Sequence, residues 1–464
     1  MDIEKLLNEF GEWWIPETDS YKICGVLKKH ENSFILELNN NILENVTSTN
    51  NIYQFKVING LINNTKICLI NVTENSHGEK SRYIFMHGLI GLNIINLNDL
   101  QFSSIKAFFQ GKHFYSWLSK ISYQLEHNDY NSIQLNAYNK GASYKLNKSE
   151  ILISINECFG YDDDCYNINV SSHTIFEIAN ISNQKNNLIS LLSQVRHLEH
   201  FITLCNWKQT KADKITFKYN SDNINYFKGV EFLNSKILYD NFPLITFLEI
   251  LPQIDTVLDN WFANYENLNV IAYTISLLID QEYFAPLEFK FSHAAQAAES
   301  FCNKFLQKEL NDTKKLNKRS LNECITNVKT YIKSLSLDNQ VEKMITNKIS
   351  AIHITTFQDK INILKHNIPT EILSSTIISD EDFAQTVTNI RNYVTHWERK
   401  KNFDPYKNIH AYIDAVKLLV TINIFKQLEL DEGIIIKAFN KTNLFQQAQH
   451  KKVPKIIIYE SEAE

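Results

Sequence analysis

The 464-residue chain contains no Cys-x-x-Cys pair, although it has seven cysteines. Cys24, Cys68, Cys158, Cys165, Cys205, Cys302 and Cys324 are scattered and odd in number. Such a set builds neither a disulfide framework nor a zinc ribbon, so buried free thiols are expected. No apolar run approaches the ~18 residues that a membrane helix needs. The opening Met1-Asp2-Ile3-Glu4-Lys5 has no basic segment leading into an apolar core, so no secretory signal is expected and the cytoplasm is the expected compartment. A Gly-rich phosphate loop of the P-loop or dinucleotide type is also missing, so no ATP, NAD or other cofactor is expected. Positive charge is not in excess. The net charge of -5 argues against a protein that coats long duplexes non-specifically. Arginine is scarce beside lysine, which makes each arginine the less expected choice of cation. There is no repeat of fixed period and no low-complexity linker.

What is present is enough apolar material for sizeable cores. Hydrophobic residues make up 44% of the chain and charged residues 21%, which suits roughly two to four domains and excludes a disordered chain. Up to about residue 180 the pattern is short and strand-like. Tyr21 to Leu27 and Ser33 to Leu38 flank a polar turn, and Asn51 to Val57 alternates before Asn59-Gly60, a hairpin-turn dipeptide. Thr65 to Ile70, Arg82 to Met86, Ile151 to Asn156 and His173 to Ile178 continue the style, which predicts an antiparallel sandwich or barrel-like domain. A helix begins near Asn187, followed by strand-like Lys214 to Tyr219 and Gly229 to Phe232. Beyond about Asn241 helical periodicity dominates. It predicts helices near 242–264, 266–280, 286–310, 320–336, 338–365, 380–401, 406–431 and 433–447, with Ser320 and Glu323 as a capping box, Asp404-Pro405 as a break and Gly433 as a terminator after Leu430. The expected fold class is α+β, a β-rich N-terminal domain followed by an all-α C-terminal bundle. The expected boundaries are 1–240 for the β-rich domain, 241–283 for connecting helices, 284–450 for the bundle and 451–464 for a tail. Acids exceed bases in the first 280 residues, while residues 281–450 carry a small basic excess, so the helical half is better suited to approach a polyanion.

The segment richest in chemistry runs from Ser379-Asp380-Glu381-Asp382-Phe383 to Arg391-Asn392-Tyr393-Val394-Thr395-His396-Trp397. Ser379 or Asp380 can cap a helix whose first turn is acidic. Phe383, Val387, Ile390, Val394 and Trp397 form one apolar stripe. At ~100° per residue, Arg391 lies about 80° to one side of the stripe's centre and His396 about 140° to the other. Asn392, Thr395 and Arg399 fall between them. This face suits RNA cleavage without a metal. A histidine near neutrality can take a proton from a ribose 2′-hydroxyl or give one to the leaving 5′-oxygen. An arginine fork can hold the non-bridging phosphate oxygens, and Asn392 can hold the phosphate or orient the histidine. The product is then a 2′,3′-cyclic phosphate, which DNA cannot form. The plain alternative is a solvated helix face. Arg82 and His87 repeat the spacing, but in a strand-like segment, and are read as structural.

Arg391-Asn392-x3-His396 on the penultimate long helix of a helical bundle resembles the signature of the HEPN superfamily, Arg-x(4–6)-His with a polar residue after the arginine. Phe289 to Phe301 resembles the first HEPN helix of the ApeA-like branch. Trp13-Trp14-Ile15-Pro16, Gly25-Val26-Leu27 and Ile35-Leu36-Glu37-Leu38 resemble the ApeA N-terminal domain. The resemblance spans roughly 10–445. It implies an endoribonuclease of a single-gene abortive-infection anti-phage system, with tRNA as a credible target and a phage product as a possible trigger sensed by the N-terminal half. It also implies a homodimer in which two motifs face one cleft. Arg391, Asn392 and His396 match the signature directly; Glu299 matches an acidic residue of the first helix less closely, and an ordinary surface carboxylate is the simpler reading of it. The alternative within the same resemblance is a non-catalytic dimerisation or RNA-binding scaffold.

Thr395 and Arg399 are candidate supports. Lys314, Lys315, Lys318 and Arg319 form a basic connection that suits RNA phosphates or simply solvent. His197 and His200 share a helix face at metal-chelating spacing, but no third ligand is placed by sequence, so no metal is expected. Asp162-Asp163-Asp164 reads as a solvated turn. Trp13 and Trp14 suit base stacking or, more simply, a small β core.

Overall fold

The computed structural model describes residues 3–16, 21–31, 33–40, 42, 54–76, 80–109, 125–128, 132–135, 142–164, 167–182, 184–229, 243–280, 283–312, 318–350, 355–396, 404–441, 445 and 448–449. The chain divides into two compact units, Met1–Tyr265 and Glu266–Glu464. The dividing point lies within the stretch expected to be connecting helices, so the helices up to Ala263 fold with the first unit.

The first unit is built on a twelve-strand antiparallel sheet. β1 (Phe10–Trp14), β2 (Ile23–His30), β3 (Ser33–Leu38), β4 (Gln54–Ile62), β5 (Thr65–Ser76) and β6 (Ser81–Ile90) close on themselves in the order β6-β3-β2-β1-β4-β5-β6. The result is a six-stranded barrel, which removes the open edges that would otherwise recruit other strands. Inward residues fill it: Trp13, Leu27, Leu36, Leu38, Ile58, Ile62, Ile67, Leu69, Tyr83 and Phe85 form one buried cluster. Trp13 is therefore a core residue. Lys22 lies over the Trp14 ring at 5.0 Å.

Asn59-Gly60 is not a turn. Both lie inside β4, Asn59 opposite Cys68 and Gly60 opposite Ile67. The turn comes at Asn63-Asn64, both in the left-handed region. Gly60 is needed in mid-strand because a Cβ there would meet the Trp13 ring at 2.4 Å. Asn59 bonds the Ile94 backbone in both directions, at 2.8 and 3.2 Å.

The barrel continues into an open sheet through β6. Its first half pairs with β3, and its second half pairs on the same edge with a later strand, Asp222–Lys228. Short strands Gln101–Phe102 (β7), Leu125–Asn128 (β9), Ser132–Leu135 (β10) and Asn186–Asn187 (β14) lie outside the large sheet. The large sheet runs on through β16 (Asp222–Lys228), β15 (Lys214–Tyr219), β8 (Ser104–Phe109), β13 (Asn167–Asn180), β12 (Ile151–Asp164) and β11 (Ala142–Leu146). Of the strand expected at 229–232 only Gly229 is among the described residues, and the rest of that stretch lies outside them. Gly229 sits beside β6, where a Cβ would strike the Phe85 carbonyl. Asp162 to Asp164 belong to β12 and pair with Asn167 to Asn169, so they are not a turn; their side chains lie outside the described residues.

Helix α1 (Leu188–Asn206) is capped by Asn187, whose side chain accepts from Ser190 N. Pro252 breaks the expected 242–264 helix into α2 (Phe247–Ile250), a short 3-10 turn and α3 (Ile254–Ala263). Asp259 of α3 accepts from the backbone N–H groups of Lys148 and Ser149, which fastens the β11–β12 turn to this helix.

The second unit is helical: α4 (Tyr265–Ile279, which starts at the last residue of the first unit), α5 (Leu287–Phe305), α6 (Gln307–Asp312), α7 (Lys318–Ser334), α8 (Asn339–Ser350), α9 (Phe357–His366), α10 (Thr370–Ser374), α11 (Phe383–His396), α12 (Ile409–Gln427) and α13 (Glu432–Lys441). Alanines 294, 295, 297 and 298 are all buried on α5, and α5 and α12 form the most extensive helix pair. Small side chains let two helix backbones approach closely.

Helix ends differ from expectation in four places. α7 already runs from Lys318, so Ser320 is inside its first turn and does not cap it. The expected 338–365 helix is two, and a capping box of Thr356 and Asp359 starts the second. α11 begins at Phe383; Ser379 ends a separate 3-10 turn, and its hydroxyl donates to the Thr376 carbonyl. α12 ends at Gln427, with Glu429 in the left-handed conformation, and Gly433 lies in the first turn of α13. No helix among the described residues is long and apolar enough to cross a membrane.

Candidate active site on a helix of the C-terminal unit

Helix α11 turns Phe383, Ala384, Val387, Ile390 and Tyr393 inward. Tyr393, not Val394, completes the stripe: Val394 is only half-buried, and Trp397 lies outside the described residues. The opposite side presents Arg391 and Asn392, half-buried, then Thr395 and His396, exposed. One helix thus separates a packed face from a polar face, as its 3.6-residue period requires.

Arg391 is the best-held of these groups. Its Nη1 donates to Asn392 Oδ1 at 3.4 Å. Its Nη2 lies 3.8 Å from Glu299 Oε2 on α5. Its Cζ stands 5.7 Å from the centre of the Phe357 ring on α9. An ion pair on one side and an aromatic ring on another place the guanidinium between α5 and α9. Glu299 is not a free surface carboxylate: its other oxygen, Oε1, accepts from Lys360 Nζ at 2.7 Å. Lys360 and Phe357 come from the same helix, three residues apart and so on one face.

His396 is the last residue of α11. Its ring is exposed, and no hydrogen bond to it is found among the described residues. It lies about 7.5 Å along the axis from Arg391 and about 140° around it. The Thr395 hydroxyl donates to the Arg391 carbonyl at 2.8 Å, so its proton is used within the helix and only its lone pairs face outward. Arg399 lies outside the described residues, as do Lys314 and Lys315. Lys318 and Arg319 open α7, but their side chains are not described.

A second set of contacts braces the same helix from its buried side. Tyr393 Oη lies 3.3 Å from Tyr406 Oη, and Tyr406 donates to Glu288 Oε1 at 2.6 Å. This short bond to Tyr406 holds the Glu288 carboxyl below its usual range, while the same bond pushes the Tyr406 phenol well above its own. The three residues join α11, the turn before α12 and the first turn of α5.

Sequence reasoning missed Lys360, Phe357, Tyr406 and Glu288. Lys360 and Phe357 fall inside the helix expected to run unbroken from 338 to 365. The Thr356-x-x-Asp359 capping signature would have located their helix start.

The histidine pair of α1 is structural. His197 is fully buried, its Nε2 is 2.9 Å from the Trp261 carbonyl, and its ring stacks on Trp261. Burial holds it down at about 3. Burial, then the Arg196 charge, holds His200 at about 4. Among the described residues no three His, Cys, Asp or Glu side chains gather as a metal site. His87 of β6 bonds Tyr226 at 3.0 Å, and Arg82 bonds Glu37 at 3.3 Å, so this Arg-x4-His pair serves the barrel wall.

Two protein-family models match the chain. ApeA N-terminal domain 1 covers residues 9–261, and Apea-like HEPN covers 293–434. No curated protein and no solved structure matches it. The first match takes in the barrel, its sheet extension and α1 to most of α3; the second takes in most of α5 and runs through Arg391 and His396 into α13. With more than half its length under the first of these models, and an Apea-like HEPN domain behind it, the chain belongs to the ApeA family.

Proposed function

We propose that the C-terminal unit is a metal-independent endoribonuclease of an anti-phage defence protein, and that the N-terminal unit gates it. Arg391 carries this reading: a half-buried guanidinium lies beside Phe357, Asn392 and Glu299 on a helix whose last described residue is an exposed imidazole. In the reaction, neutral His396 takes the proton of a ribose 2′-hydroxyl. The 2′-oxygen then bonds to phosphorus as the bond to the 5′-oxygen breaks, and the 5′-oxygen takes a proton from a second, protonated imidazole, that of the other copy of α11. Arg391 holds the non-bridging oxygens as their charge grows. The products are a 2′,3′-cyclic phosphate and a 5′-hydroxyl, and atoms and protons balance.

On one helix the two groups leave the axis about 140° apart. A homodimer that brings two copies of α11 to one cleft supplies base and acid from two imidazoles. Unchecked RNA cleavage would kill the host, so such a nuclease needs a gate. The 9–261 region is the available candidate for it, with a phage product as the trigger and tRNA as the expected target in the cytoplasm. The scaffold reading differs in one outcome. Incubation with total tRNA, followed by end-group analysis, should reveal 2′,3′-cyclic ends with the wild-type protein and none with His396→Ala. RNA bound but intact under every activating condition would favour the scaffold.

A further inference from the structure

We infer that Lys360 is a positioning residue of this site: by holding Glu299 it leaves Arg391 free to take an RNA phosphate. The inference rests on the ribonuclease reading but uses observations beyond it. Lys360 is only 8% exposed, and its Nζ lies 2.7 Å from Glu299 Oε1. Arg391 sits further away, 3.8 Å from the other oxygen of the same carboxylate. The shorter contact is thus made by the lysine. The backbone of Lys360 is itself fixed, since the buried Cys302 thiol, one turn from Glu299 on α5, donates to the Lys360 carbonyl at 3.5 Å.

One carboxylate between two cations leaves a net charge of +1. When a phosphodiester arrives, Arg391 can turn to it without leaving Glu299 as an unpaired, half-buried anion, because Lys360 still neutralises it. Without the lysine, Glu299 competes with the phosphate for Arg391 and repels the incoming anion. Arg391 would be held as firmly, but by the wrong partner.

The test uses the full-length protein and total tRNA, with initial cleavage rates giving kcat and KM. Lys360→Met should raise KM by about tenfold with kcat little changed, the size of one lost charge-assisted contact. Adding Glu299→Gln in that background should bring KM back to within about threefold of wild type, because the competitor is gone. A lysine with only a packing role would lower thermal stability without this KM-specific, Glu299-dependent pattern. An unchanged KM in Lys360→Met, or no recovery in the double variant, overturns the inference. Should Lys360→Met fail to fold, Glu299→Gln alone decides: a KM no higher than wild type supports the inference, and a tenfold rise overturns it. Wild-type protein that leaves tRNA intact under every activating condition would defeat the ribonuclease reading instead, and tRNA affinity of the same variants by gel shift would then still read the role of Lys360.

Discussion

His197 and Trp261 hold one another by reciprocal contacts: the His197 ring Nε2 is 2.9 Å from the Trp261 carbonyl, and the Trp261 indole N–H donates to the His197 carbonyl at 3.0 Å. Their rings stack with centroids 4.4 Å apart, and Tyr265 meets His197 edge-on. The pair therefore ties α1 to α3 within the first unit. The same burial that stacks the ring disfavours its charged form. An unfolded histidine binds a proton below about 6.5, whereas His197 resists it down to about 3, and His87 and His200 down to about 4. More protons are bound by the unfolded chain in that window, so stability falls as pH drops from about 6.5 towards 3. Thermal melts between pH 7.5 and 5 should show the first unit weakening before ordinary carboxylates titrate. His197→Ala should cost about 3 kcal/mol through the lost ring and its bond, and should flatten the acid dependence.

Glu37 gives a second, lower acid step. It accepts from Lys28, Lys80 and Arg82 on the barrel wall. The Lys28 hydrogen bond, with Lys80 adding to it, holds its carboxyl at about 2 against burial that opposes ionisation. Its contribution is complete above the ordinary value of 4.5 and is lost as pH falls through about 2. Glu37→Gln should remove this low-pH step and lower stability at neutral pH by about 1–2 kcal/mol, measured by urea unfolding at pH 7 and pH 3.

Gly60→Ala tests the barrel packing. A methyl group at this position would sit 2.4 Å from the Trp13 ring. Overpacking of that kind costs about 1–3 kcal/mol, and Trp13 fluorescence should shift with it. Unchanged stability would mean that the β1–β4 pairing around Trp13 is wrong.

The Tyr406–Glu288 bond should matter more to activity than to folding, because Tyr406 is exposed at 42%. Tyr406→Phe removes the proton donor but keeps the ring against Tyr393. RNA cleavage is expected to fall several-fold, with the melting temperature nearly unchanged, as the last turns of α11 lose their brace. Full activity in this variant would show that the turn before α12 does not position His396.

The sequence disclosed the β-then-α order because alternation and helical period are local. It also disclosed the polar face of α11, since Arg391, Asn392 and His396 are close in the chain. The choice between sandwich and barrel was not legible, because closure depends on β6 pairing with β3 and β5 at once, a non-local choice. Asn59-Gly60 misled for a related reason: the glycine answers to Trp13, some 47 residues earlier in the numbering, and not to a turn. Glu299 was seen as a candidate, but its meaning lay in Lys360, 61 residues onward, which no short motif could connect.

The central claim is that an imidazole and a guanidinium on α11 cleave RNA. The most direct measurement is the end chemistry of total tRNA incubated with activated wild-type, Arg391→Ala and His396→Ala proteins, each checked for folding by circular dichroism. The account predicts 2′,3′-cyclic phosphate ends from the wild type and loss of at least about a hundredfold in rate from either variant. Undiminished cleavage by folded His396→Ala protein would contradict it.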